Sequence, residues 1–133
     1  MIGALLDTHA FVWFLTEDPQ LSQNALDFIN QHLRWGNLLA VSAISIVEVV
    51  YLEEKGKIPA GFVSSTGMLF SGPYPFVLVP LDMSILYILP SIPRTSVPDM
   101  PDRIVVATAR MLGVPLVTKD QKIHQSEIVP VVW

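Results

Sequence analysis

The chain has 133 residues, of which 51% are hydrophobic and 15% charged, with a net charge of −4 and no cysteine. That suits one domain with its own core and excludes a disordered tail, disulfides, thiolate metal sites and a nucleic-acid grip based on overall positive charge. Asp7, Glu48, Pro80 and Asp82 break every candidate membrane span, and no basic stretch precedes a cleavable apolar segment, so a cytoplasmic setting is expected.

Ile2 to Leu6 reads as a short buried strand, followed by a helix from Thr8 to Leu15 that starts beside Asp7. Leu21, Ala25, Leu26, Ile29 and Leu33 share one face of a second helix, begun by Ser22 or by Asp18 with Pro19. Leu38 to Val41 is a second strand, and Ser45 to Lys55 a helix stopped by Gly56. Phe62 to Phe70 is a more weakly patterned helix, and Gly72, Pro73 and Pro75 mark a turn after it. Phe76 to Pro80 is a strand and Met83 to Leu89 a short helix. A loop punctuated by Pro90, Pro93, Pro98 and Pro101 leads to a helix over Asp102 to Leu112, ended by Gly113. Val114 to Thr118 and Ile128 to Val132 are the last strands. There is no internal repeat. Strands without polar alternation, separated by helices, predict an α/β fold: a parallel sheet covered on both faces, as one domain over 1–133.

Acids fall at special places in this pattern. Asp7 ends the first strand, Glu48 follows the second, Asp99 and Asp102 open the late helix, and Asp120 ends the strand VPLVTKD. Each has a structural reading. Ser45 and Glu48 have capping-box spacing, as do Asp99 and Asp102, while Asp7 or Thr8 can cap a helix and Asp120 can sit in a turn. Together they read differently. The crevice beyond the strands' carboxyl ends is the usual ligand site of an open parallel sheet. Clustered carboxylates repel one another, and a divalent cation removes that penalty. Oxygen donors without cysteine suit Mg²⁺ or Mn²⁺ over zinc.

The segments LLDTHAFVWFL, SAISIVEV and DMPDRIVVATARMLGVPLVTKD, with the terminal apolar strand, resemble the PIN-domain ribonucleases, especially VapC-type toxins of toxin–antitoxin pairs. The resemblance runs nearly end to end and is weakest between about Pro59 and Pro75. It implies a three-layer α/β/α sandwich with a central parallel sheet. It also implies an Mg²⁺- or Mn²⁺-dependent RNA hydrolase leaving a 5′-phosphate and a 3′-hydroxyl. Asp7, Glu48, Asp102 and Asp120 match the family's catalytic acids, with Asp7, Asp102 and Asp120 as metal ligands and Glu48 as base or outer ligand. Asp99 matches an accessory acid; where many relatives carry His-x-Asp-Pro, this chain reads SVPDMPDR.

Thr118 is a second accessory candidate, able to orient a carboxylate or to act as a plain strand hydroxyl. Arg103 and Lys119 flank two acids and are candidates for an RNA phosphate, and Arg103 can equally brace the acids; His9 is a further substrate-binding candidate. Phe11, Trp13, Phe14 and Trp35 fit core or partner contact better than base stacking. The high apolar content and the resemblance together imply a homodimer and a small antitoxin, with exposed apolar surface expected near the first helix and around Met68 to Phe70. The alternative is a non-catalytic PIN-like module that binds RNA or protein.

Overall fold

The computed structural model describes residues 1–133. Five strands form one parallel sheet in the order β3-β2-β1-β4-β5. They are β1 (Ile2–Leu6), β2 (Leu38–Ser42), β3 (Phe76–Val79), β4 (Leu116–Val117) and β5 (Val131–Val132). The helices are α1 (Thr8–Leu15), α2 (Gln23–Arg34), α3 (Ala43–Glu54), α4 (Phe62–Ser71), α5 (Met83–Ile88), α6 (Met100–Leu112) and α7 (Gln121–Ser126). A 3₁₀ turn, Leu89–Ser91, follows α5.

β1 is central because it is apolar on both sides. Leu5 faces one core with Ala40, Leu116 and the α6 residues Val105, Val106 and Ala109. Ala4 and Leu6 face the other with Leu39, Val41, Val117, Phe11 and Ile29. The three-layer α/β/α arrangement therefore follows from strands that must bury both faces. The second core holds the aromatic residues: Phe11 stacks on Phe70 at 6.0 Å and meets Phe76 edge-on at 6.0 Å. Phe70 is thus drawn inward, whereas Met68 is exposed, so the stretch around Met68 to Phe70 is only partly the surface expected.

β4 and β5 are shorter than the expected Val114–Thr118 and Ile128–Val132, α6 starts at Met100, before the expected Asp102, and two further differences from the sequence reading bear on the site. The helix after β2 begins at Ala43, capped by the Ser42 hydroxyl, which accepts the Ile44 N–H at 3.2 Å. Ser45 is therefore inside the helix, and the Ser45–Glu48 capping box does not form. The Ser45 hydroxyl is buried without a hydrogen-bond partner. The second difference is α7, which the sequence reading omits. Its six residues QKIHQS bury only Ile123, which leaves no periodic face to read. No helix is long and apolar enough to cross a membrane.

Candidate active site

Parallel strands place their carboxyl ends on one edge of the sheet, and the segments leaving that edge carry the acids. Asp7 follows β1, Glu48 lies in the second turn of α3, and Asp120 follows β4 by way of Thr118 and Lys119. The loop before α6 brings Asp99 and Asp102 to the same place. All five carboxylates line one cleft of about 440 Å³, together with Thr8, His9, Trp13, Val105 and Lys119.

Capping and clustering coexist at Asp7, Asp99 and Asp120. Asp7 Oδ1 accepts the Ala10 N–H at 2.8 Å, Asp99 Oδ2 accepts the Asp102 N–H at 3.2 Å, and Asp120 Oδ1 accepts the Ile123 N–H at 2.9 Å. Each cap engages one carboxylate oxygen, which fixes the side chain and leaves the other oxygen for the cleft. Glu48 is fixed differently: the buried Thr8 hydroxyl donates to its Oε1 at 2.6 Å. The sequence reading gave Thr8 only as a possible helix cap, and its position directly after Asp7 was the available signal for a role at the site.

Burial and mutual repulsion raise two of these acids. Asp102 is pushed up to about 7, first by desolvation and then by the charges of Asp99, Asp120, Glu48 and Asp7. Asp7 is also raised by burial, opposed by hydrogen bonds from Thr118 and the Ala10 N–H. Thr118 is fully buried, and its hydroxyl also accepts the Asp120 N–H at 3.1 Å, so it links two acids.

Arg103 requires a correction. Its guanidinium donates to the Ile92 carbonyl at 2.8 and 3.1 Å and to the Leu89 carbonyl at 3.2 Å. The side chain is spent on the turn after α5 and neither braces the acids nor faces a substrate. His9 and Lys119 do line the cleft. Of the aromatic candidates, Phe11 is buried, while Trp35 closes α2 just before β2 and so lies toward the opposite edge of the sheet. Trp13 alone of that set lines the cleft.

The donor set is all oxygen and partly protonated when empty of cations, which is the chemistry of a hard divalent ion. As placed, however, no three acidic side chains stand close enough to hold one ion. The expected trio of direct ligands, Asp7, Asp102 and Asp120, is therefore gathered without being closed. Mg²⁺ tolerates such a spread, because it retains several waters and takes only one or two direct carboxylates.

Comparison with known proteins bears on the family and the fold. The PIN domain family profile matches residues 4–128. The chain is 30% identical over 124 residues to Ribonuclease VapC22 of Mycobacterium tuberculosis, covering 93% of this chain and 92% of that one. The chain belongs to the PIN-domain family. Its fold is similar to that of VapBC2 from Rickettsia felis bound to a promoter DNA fragment, with a TM-score of 0.71, 19% identity, and coverage of 98% and 97% of the two chains. DNA-bound VapBC from Salmonella typhimurium superposes with a TM-score of 0.72 at 16% identity, again covering 98% and 97%. A toxin–antitoxin complex from Klebsiella pneumoniae gives 0.67 at 20% identity over 98% of this chain and 97% of that one. PIN-domain ribonucleases generally depend on a divalent metal.

Proposed function

We propose that this protein is a divalent-metal-dependent endoribonuclease and the toxin of a VapBC-type pair. The observation that carries the reading is the convergence of Asp7, Glu48, Asp99, Asp102 and Asp120 on one cleft at the carboxyl edge of the sheet. Asp7, Asp102 and Asp120 would hold an Mg²⁺ or Mn²⁺ ion, which would supply charge neutralisation at the phosphate and a lowered pKa for a nearby water. The chain's own groups do the rest. Thr8 occupies Glu48 Oε1, so Oε2 is the oxygen free to take a proton from the attacking water. Caps on Asp7, Asp99 and Asp120 hold those side chains at fixed angles to the cleft. In-line attack at phosphorus by the water that Glu48 deprotonates forms one P–O bond and breaks the bond to the 3′-oxygen, which takes a proton from solvent and leaves as a 3′-hydroxyl, with a 5′-phosphate on the other product.

The same reading includes a small antitoxin. A groove of about 370 Å³ meets the acid cleft at Thr8, His9 and Glu48 and is walled by Ile44, Val47, Tyr51 and Met100. Tyr51 and Met100 are more than half exposed. An apolar antitoxin segment laid there can bring a basic side chain to the carboxylates. Exposed Met83 and Tyr87 on α5, beside edge strand β3, supply apolar surface for a homodimer. A cytoplasmic setting belongs to this proposal because RNA is the substrate.

Incubating purified protein with an RNA pool, with Mg²⁺ or with chelator, tests the nuclease assignment. Cleavage that chelation abolishes and Mg²⁺ restores is expected. RNA binding without cleavage under any divalent ion favours the non-catalytic module instead.

A further inference from the structure

The acid cleft has one wall of a different character. Trp13 lines it from α1, the His9 ring lies 5.3 Å from the Trp13 ring at a tilt of 46°, and the Lys119 ammonium lies 5.7 Å from the Trp13 centroid. The terminal Trp133 also packs against Trp13, with ring centroids 6.0 Å apart and planes tilted by 58°. An aromatic ring braced by a second ring, with a flexible cation over it, is what an unpaired nucleotide needs. The base takes the ring face, and the displaced ammonium moves to the phosphate. The chain carries a net charge of −4, and the cleft gathers five carboxylates, so overall electrostatics repel RNA. Affinity must come from local groups of this kind.

Building on the ribonuclease reading, we infer that Trp13 is the stacking platform for an unpaired base beside the scissile phosphate, and that Lys119 clamps an adjoining phosphate. The juxtaposition makes the cleft selective for single-stranded RNA, because a base within a duplex cannot present its face to an isolated indole. His9 borders the platform and narrows the space beside the stacked base.

The test uses the full chain carrying Asp102→Asn, which silences cleavage, with a labelled ten-nucleotide single-stranded RNA of mixed sequence in Mg²⁺. Three probes are compared by anisotropy and tryptophan fluorescence: this strand, the same strand in a blunt duplex, and the same strand with abasic positions. The single strand is expected to bind best and to quench tryptophan emission. Trp13→Leu should weaken its binding about tenfold and remove most of the quench, and the abasic strand should lose a similar factor on the unchanged protein. Lys119→Ala should weaken the single and abasic strands alike and reduce the salt dependence by about one phosphate contact. If Trp13→Leu unfolds, Trp13→Phe and the abasic comparison decide the matter. Equal binding of abasic and intact strands, or no loss in a folded Trp13→Leu variant, overturns the platform. Cleavage by the parent chain is scored separately. Cleavage without Trp13 dependence rejects the platform and keeps the nuclease, whereas Trp13-dependent binding without cleavage does the reverse.

Discussion

Asp7, at the end of β1, and Asp102, in the first turn of α6, meet in one cleft yet are held there by different means. Asp7 is partly buried, and desolvation raises its pKa against hydrogen bonds from Thr118 and the Ala10 N–H. Asp102 is half-buried, and its pKa is raised by desolvation with four neighbouring carboxylates added. The first is a carboxylate built into the fold, since it also caps α1. The second accepts no hydrogen bond within the chain, and its neighbours' charges work against its ionisation. Anchored acids set the frame, and the crowded acid carries the repulsion of the cluster.

The largest expected effect is on catalysis, where the two acids should look alike. Asp7→Asn and Asp102→Asn should each lower RNA cleavage by about a hundredfold or more, measured by gel assay at saturating Mg²⁺. Near-normal cleavage by either variant breaks the shared-site assignment. A smaller effect separates the two cations next to the acids in sequence, Arg103 and Lys119. Arg103→Ala removes charge-assisted hydrogen bonds to the Leu89 and Ile92 carbonyls and should destabilise the chain by about 2 kcal/mol in urea titration. Lys119→Ala, an exposed change, should stay within about 0.5 kcal/mol of the parent. Equal stability of the two variants contradicts the structural role of Arg103.

Stability without metal then divides Asp102 from Asp7. In chelator at neutral or higher pH, Asp102→Asn should be more stable than the parent by about 1 kcal/mol, discounted for partial solvent screening of the half-buried group. Asp7→Asn should gain less, because the hydrogen bonds that favour its charged form are lost as burial strain is relieved. Added Mg²⁺ should stabilise the parent more than Asp102→Asn in thermal melts. Equal metal stabilisation of the two counts against Asp102 as a ligand.

The smallest effect is a slope. Asp102 binds its proton more tightly folded, at about 7, than at the ordinary value of 3.8, so the folded state holds the extra proton between those values. Stability of the metal-free protein should therefore fall as pH rises from about 4 to about 7, with the penalty absent below that window and complete above it. Urea midpoints across this range should show a flatter dependence for Asp102→Asn. A parent whose metal-free stability rises steadily over the window breaks the comparison.

The sequence by itself determined the layers and the positions of the acids along the chain. Both faces of each strand are apolar, so helices must cover both, and acids placed directly after apolar strands must emerge at the sheet's edge. The caps of α1 and α6 were legible as well, because they depend on side chains within a few residues. Three things were decided only by tertiary structure. The strand order puts β4 beside β1, which brings Asp120 toward Asp7 across a long stretch of chain. Arg103 points to the turn after α5, where the Leu89 and Ile92 carbonyls accept from its guanidinium, and no local spacing encodes that. Trp13 lines the cleft while Phe11, two residues earlier, is buried, although both read as apolar helix positions. Local pattern fixes which residues seek burial or a cap. Which distant partners meet depends on how the layers close, and that is settled by packing between elements remote in sequence.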